Sequence, residues 1–180
     1  MRIQTIFLLL VSYSVHAQAK VFGDTEIIKK IEAATATIYH LKDTTYFFLT
    51  EAKFFHRATT GTNIVAYEFK RNINRIVAFT ILPDGLLSAE YYYRNDTVLM
   101  IYKSLEYYKE TSPPHQEKNF KGLAFWESRF YFANGKLAAH KHSNSRNVSE
   151  NYTGAIESKE AATLFKYVNS QLTKTTDNNR

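Results

Sequence analysis

Residues 75–108 read RIVAFTILPDGLLSAEYYYRNDTVLMIYKSLEYY, and this stretch decides the fold. Two turn signals interrupt it, Pro83-Asp84-Gly85 and Asn95-Asp96, and both contain residues that tolerate a positive φ. β-branched and aromatic residues dominate between the turns, which favours strands and argues against one long helix. The stretch therefore predicts three consecutive antiparallel strands.

A two-residue turn at Asn95-Asp96 also predicts a register, because the pairs follow by counting outward from it. The pairs fall on two faces of the predicted sheet. The first face is uniformly apolar or aromatic and the second face is mixed, as is typical of a sheet with one covered side. The predicted pairs are Tyr93–Val98, Tyr91–Met100 and Ala89–Tyr102 on the first face, and Tyr92–Leu99, Glu90–Ile101 and Ser88–Lys103 on the second.

A second hairpin is predicted around Asn134-Gly135, the strongest short hairpin signal in the chain. Counting outward gives two pairs on its core side and three on its opposite side. The core pairs are Phe132–Leu137 and Phe130–Ala139, and the opposite pairs are Tyr131–Ala138, Arg129–His140 and Glu127–His142.

Helical patterns flank the strands. The apolar residues within 27–34 form one stripe, which predicts a helix behind a capping Asp24. We expect this helix to fray over residues 35–38, where β-branching increases. Residues 157–172 form a second amphipathic helix, and 173–180 form a polar tail that we expect to be disordered. The predicted fold class is α+β, a single meandering antiparallel β-sheet of about 6–8 strands with an N-terminal and a C-terminal helix. The abundance of aromatic residues, 13 Tyr and 13 Phe, favours such a sheet over a helical bundle.

The first 19 residues have the pattern of a secretory signal peptide. Arg2 provides the positive start, residues 6–11 the apolar centre, and Ala17 or Ala19 the small residue before the cleavage site. The remainder, a single domain over residues 20–172, has no further apolar segment of membrane-spanning length, so we expect a periplasmic or secreted protein. The absence of cysteine excludes disulfides and thiolate metal sites.

The formal net charge is +6, but the basic residues are scattered along the chain. They do not interleave with aromatic residues as they do in grooves that bind single-stranded nucleic acid. We therefore expect no nucleic-acid partner, and the charge predicts a solvated basic surface.

Four segments carry a family resemblance: 26–31 (EIIKKI), 74–77 (NRIV), 89–93 (AEYYY) and 127–137 (ESRFYFANGKL). Together they resemble a group of small uncharacterised exported proteins from Bacteroidota, over most of the mature chain. This resemblance implies a shared antiparallel sheet and no known activity. Single hairpins are also similar to the repeats of antitoxin or immunity-like proteins, whose units end in Asn-Gly-Lys-Leu.

The sequence offers two candidate sites. The predicted register places Glu127, His140 and His142 on one strand face, a set of ligand types that zinc accepts, and this would support a small metal-dependent hydrolase. The second candidate is a surface for ligand binding formed by Tyr92, Tyr131 and Arg129.

We expect the second site to be the functional one, because no catalytic motif accompanies the first. The leading interpretation is a non-catalytic binding protein of the cell envelope, without a cofactor, whose partner is a protein, a lipid or a glycan. The alternatives are the hydrolase and an antitoxin or immunity-like role.

Overall fold

The computed structural model describes residues 20–42, 44–51, 62–82, 85–107, 124–143 and 153–177. The predicted leader, residues 52–61, the predicted turn residues Pro83 and Asp84, and residues 108–123 lie outside these ranges. No helix in the described ranges is both long and apolar enough to cross a membrane.

One antiparallel sheet of eight strands and two helices make up the described structure, which confirms the predicted α+β class. The elements are β1 (Lys20–Gly23), α1 (Thr25–Tyr39), β2 (Thr45–Glu51), β3 (Thr62–Phe69), β4 (Asn72–Ile81), β5 (Gly85–Arg94), β6 (Thr97–Tyr107), β7 (Ala124–Ala133), β8 (Lys136–Ser143) and α2 (Ala155–Asp177). The strand order is β1-β8-β7-β6-β5-β4-β3-β2, so β2 to β8 form a meander. The short β1, which the sequence analysis did not predict, pairs with β8 at the edge of the sheet.

The two helices pack on opposite faces of this sheet. On one face, α2 buries Ala161, Leu164 and Val168 against the aromatic core that includes Tyr91 and Phe130. We call this side the α2 face. On the other side, the α1 face, a smaller cluster packs around α1: Ile28, Ile31, Tyr92, Met100, Tyr131 and Ala139. The sheet therefore has two covered sides, each with its own apolar cluster.

Gly23 and Asp24 direct the chain from β1 into α1. Gly23 has a φ of +96°, and a Cβ atom there would lie 2.4 Å from the carbonyl oxygen of Ala138, so only glycine fits this position. The Asp24 carboxylate then accepts hydrogen bonds from the backbone N–H groups of Glu26 and Ile27, as an N-cap does. The junction sends α1 across the sheet toward β4.

Three hairpins repeat one backbone design, a two-residue turn with positive φ followed by a β-bulge at the third residue after the turn. The turns are Lys70-Arg71, Asn95-Asp96 and Asn134-Gly135, and the extra residues are Asn74, Leu99 and Ala138. The three hairpins therefore share one backbone geometry, the same turn followed by the same bulge.

These bulges correct the predicted register. The pairs next to the turns, Tyr93–Val98 and Phe132–Leu137, are confirmed. All predicted pairs beyond the bulges are wrong, because each extra residue shifts the partner strand by one position and exchanges its faces. The observed pairs include Tyr92–Met100, Tyr91–Ile101, Ala89–Lys103, Glu90–Tyr102, Ser88–Ser104, Tyr131–Ala139, Phe130–His140, Arg129–Lys141 and Glu127–Ser143.

Other element boundaries also differ from the prediction. Asn72 already belongs to β4, and the turn before it lies at Lys70-Arg71, where the Asn72 side chain donates a hydrogen bond to the Lys70 carbonyl. α1 does not fray at residue 35 but continues to Tyr39, because Thr35 is buried and Ile38 packs against the apolar cluster of the α1 face. α2 continues to Asp177, beyond the predicted start of the tail at residue 173.

Candidate ligand-binding cleft

A cleft of about 370 Å³ lies between α1 and the sheet. Its volume falls at the lower end of the range of small-molecule sites, roughly 300–1,000 Å³. Its wall from α1 and the residue after it consists of Glu32, Thr35, Ala36, Tyr39 and His40. Its wall from the sheet consists of Glu90, Tyr92, Met100, Tyr102 and Arg129.

The sheet places its wall residues by pairing them across three strands. Tyr92 pairs with Met100, Glu90 pairs with Tyr102, and Tyr102 pairs in turn with Arg129. Paired residues of an antiparallel sheet share a face, so all five side chains project toward α1. The result is an aromatic and apolar surface with charged groups at fixed positions.

Arg75 holds three tyrosine rings in place on one side of the cleft. Its guanidinium carbon lies 4.6 Å from the ring centroid of Tyr39, 4.9 Å from that of Tyr67 and 5.8 Å from that of Tyr92. These cation–π contacts connect the end of α1 to two strands. Arg75 and Tyr39 also line a second pocket, of about 150 Å³, on the side facing β2 and β3.

Glu90 is held through one of its two oxygens. Oε2 accepts hydrogen bonds from Arg75 Nη2 at 2.8 Å, from Arg75 Nε at 3.1 Å and from the Tyr92 hydroxyl at 2.7 Å. The two charged side chains are only 16% (Arg75) and 26% (Glu90) exposed, so their geometry is well constrained. No residue in the described ranges donates to Oε1 of Glu90.

Glu32, on the opposite wall, has a matching arrangement. Its Oε1 accepts hydrogen bonds from the Tyr131 hydroxyl at 2.7 Å and from Lys141 Nζ at 2.8 Å. Burial alone would raise the pKa of Glu32, but the hydrogen bonds from Lys141 and Tyr131 outweigh it and hold the pKa below its usual value. Glu32 is therefore a carboxylate at neutral pH, and no residue among those the structure describes donates to its Oε2.

The tyrosine hydroxyls around the cleft act as fixed donors. Burial, with the neighbouring Glu90 and Glu32 carboxylates, raises the pKa of Tyr92 and of Tyr131 far above the usual tyrosine value. Burial together with the Glu127 carboxylate raises the pKa of Tyr102 to about 12. None of these hydroxyls loses its proton near neutral pH, so none can act there as a general base.

Arg129 provides the remaining charge. Its guanidinium carbon lies 5.3 Å from the Tyr102 ring centroid, and its side chain is exposed. Among the described residues no carboxylate lies within ion-pair distance of it. Its donors are therefore accessible to a ligand in the cleft.

The structure brings the predicted ligand-binding residues together on the α1 face. Tyr92 and Arg129 line the cleft, and Tyr131 lies behind it as the fully buried donor to Glu32. Sequence reasoning missed the whole contribution of α1. A usable signal existed, because Glu32, Thr35 and Tyr39 recur at helical spacing beside the apolar stripe.

The predicted metal trio is not brought together. The bulge at Ala138 places His140 and His142 on the α2 face, whereas Glu127 lies on the α1 face, opposite Ser104 and Ser143. Within the described ranges no group of three His, Cys, Asp or Glu residues lies close enough to hold a metal ion.

A buried polar row on the α2 face contains residue types used in nucleophilic catalysis. Ser128 and His142 share a hydrogen bond of 2.8 Å, and Lys103 is the cross-strand neighbour of Ser128. Ser128 is 1% exposed and His142 4% exposed, so a substrate has no access to either atom of this pair. The row is consistent with a structural role, in which polar groups inside the core bind one another.

His140, which is 2% exposed, should make the stability of the protein dependent on pH. Burial lowers its pKa, so the folded protein disfavours a charge that the unfolded chain accepts once the pH falls below about 6.5. The free energy of unfolding should therefore fall between about pH 7.5 and pH 5. The lowered pKa of Glu32 acts in the same direction only at more acidic pH, below the usual glutamate pKa of 4.5.

His140→Phe should flatten this dependence, since the ring lies between Phe22 and His142 and tolerates an apolar replacement. Urea unfolding at the two pH values measures the effect, and His40→Gln, at an exposed histidine, is the matched control. Equal pH slopes for the wild type and His140→Phe would show that His140 is not the group responsible.

Comparison with protein-family models, with curated proteins and with solved structures yields no match to this chain.

Proposed function

We propose that this protein is an exported, non-catalytic binding protein that holds a small ligand in the cleft between α1 and the sheet. The observation that carries the proposal is the cleft itself, an aromatic pocket of about 370 Å³ whose two carboxylates, Glu32 and Glu90, are held by hydrogen bonds and ion pairs. Sites of this size, largely apolar with a few oriented polar groups, are typical of small-molecule binding.

The rigidity of the walls supports binding. Glu90 is fixed by Arg75 and Tyr92, and Glu32 by Lys141 and Tyr131, so a ligand would meet hydrogen-bonding groups that are already oriented. Preorganised groups bind with a smaller loss of conformational entropy than mobile ones.

Export is supported by the leader pattern over residues 1–19. The mass of the protein recovered from its host would test this part of the proposal. Removal of the leader after Ala17 or Ala19 is expected, and an uncleaved chain would contradict it.

Backbone NMR spectra recorded with a set of small fragments test the cleft directly. The fragments should carry hydroxyl, carboxylate, ammonium or aromatic groups, so that no ligand class is favoured. We expect shift changes to concentrate at Thr35, Tyr102 and Arg129. Ala36→Phe, which adds a ring to the α1 wall, should weaken binding by about tenfold or more.

Arg94→Ala is the matched control, because Arg94 is an exposed arginine that does not line the cleft. It should leave fragment binding unchanged. Shift changes distributed over other surfaces, or binding that Ala36→Phe does not alter, would rule out the cleft as the site.

A further inference from the structure

We propose that the ligand of this cleft is a neutral saccharide of one or two rings. The inference rests on the proposed function, which it makes more specific by naming the class of ligand. It follows from the uncommitted hydrogen-bonding atoms of the cleft, from the balance of charge around them and from the aromatic surface beneath them.

The uncommitted atoms are acceptors on both walls and donors beside them. Among the described residues, hydrogen bonds reach Glu90 only at Oε2 and Glu32 only at Oε1, which leaves Oε1 of Glu90 and Oε2 of Glu32 to accept hydrogen bonds. The exposed guanidinium of Arg129 supplies donors. A hydroxyl group both donates and accepts, so a polyol can satisfy all three side chains at once.

The charge balance disfavours charged ligands of either sign. An anion that paired with Arg129 would offer no hydrogen-bond donor to the carboxylates of Glu32 and Glu90, which line the same cleft. A cation that paired with Glu32 or Glu90 would approach Arg129, Lys141 and Arg75, since both carboxylates already have a cationic partner. A neutral ligand avoids both penalties and still makes charge-assisted hydrogen bonds.

The aromatic surface of the cleft suits the face of a sugar ring that carries C–H bonds. Tyr92, Tyr102 and Met100 share one face of the sheet, and Tyr39 closes the cleft from α1. Pyranose rings combine an edge of hydroxyl groups with a face of C–H bonds, and aromatic rings offer a flat surface against which such a face packs. A purely aromatic ligand would match this surface but would leave the carboxylate oxygens and Arg129 without partners, at a cost in affinity.

The protonation state of Glu32 favours binding of a saccharide over hydrolysis by this carboxyl group. Glycoside cleavage requires one carboxyl group that keeps its proton, which enzymes achieve by raising the pKa of that group. The pKa of Glu32 is instead held below its usual value by Lys141 and Tyr131. Glu32 therefore accepts hydrogen bonds in the cleft and does not serve as an acid.

Isothermal titration and saturation-transfer NMR with defined sugars test the inference. The neutral probes are glucose, mannose, galactose, maltose, cellobiose and lactose, and the charged analogues of matched size are glucuronate and glucosamine. We expect at least one neutral sugar to bind at or below about 10 mM, and both charged analogues of that sugar to bind at least about fivefold more weakly.

Tyr102 offers a matched pair of variants. Tyr102→Ala removes the aromatic surface and should weaken binding by about tenfold or more, whereas Tyr102→Phe keeps the ring and should weaken binding much less than Tyr102→Ala does. Glu90→Gln alters the acceptor wall and should also weaken binding, with the fold verified by circular dichroism. Arg94→Ala should change nothing.

The outcomes separate this inference from the proposed function. If fragments bind the cleft but none of the sugars does so at about 50 mM, the saccharide inference is overturned and the binding function stands. Tighter binding of glucuronate or glucosamine than of the neutral sugars also overturns it. If neither fragments nor sugars bind, both proposals fail, and release of monosaccharide from a bound disaccharide would contradict the non-catalytic function alone.

Discussion

Glu160→Leu is expected to lower the free energy of unfolding by about 3–5 kcal/mol, because it leaves a buried cation without its partner. Lys103 Nζ lies 2.7 Å from Glu160 Oε1, and the two side chains are only 11% and 23% exposed. The Tyr91 hydroxyl donates to the same carboxylate oxygen and would lose its acceptor as well. Both losses fall in the layer between α2 and the sheet, where water cannot replace the missing contacts.

The double variant Lys103→Met/Glu160→Leu should recover most of this loss, because replacing both partners by apolar residues removes the unpaired charge. Urea unfolding of the wild type, both single variants and the double variant provides the measurement as a double-mutant cycle. A loss below about 1 kcal/mol for Glu160→Leu would show that Lys103 reaches solvent when its partner is removed. A double variant as unstable as Glu160→Leu would locate the cost in packing and not in charge.

Phe130→Ala is expected to destabilise the protein by about 3–5 kcal/mol. The ring is fully buried on the α2 face, where Phe130 pairs with Ile101 on one side and with His140 on the other. Its centroid lies 5.5 Å from that of His142. Removing it opens a cavity at the middle of the sheet, and neighbours on paired strands can fill that space only in part.

Phe48→Ala is the matched control, since Phe48 lies on the edge strand β2 with 61% of its surface exposed. Its effect should stay within about 0.5 kcal/mol, as for most surface substitutions. Chemical unfolding at neutral pH compares the two variants. Similar losses for both would mean that residues outside the described ranges bury Phe48 in solution, and a small loss for Phe130→Ala would mean that the core collapses around the cavity.

The fold class was predictable because its signals are local. Asn95-Asp96 and Asn134-Gly135 adopt the positive φ values that their residue types favour, and the aromatic alternation on either side identifies strands. The register was predictable only as far as the first two pairs from each turn. The extra residues Asn74, Leu99 and Ala138 share no chemical property that would mark them in the sequence.

The site was predictable only in part, for a different reason. Tyr92 and Arg129 stand out in the sequence as an aromatic and a charged residue within strands, and both line the cleft. Glu32 and Tyr39 belong to the polar side of an amphipathic helix, a position that usually faces solvent. Their helical spacing places them on one side of α1, but what that side faces depends on where α1 crosses the sheet, which is long-range packing.

The three bulges also determine where the chain can change its length. At Leu99, loss of the extra residue would join Val98 to Met100 in an uninterrupted ladder, and every flanking side chain would keep its face. The same holds for Ala138 and for Asn74. A one-residue deletion elsewhere in these strands would instead invert the faces of all residues between the deletion and the next turn. Relatives of this protein should therefore tolerate gaps of one residue at these three positions, and a neighbouring gap in an alignment should be moved to the nearest of them.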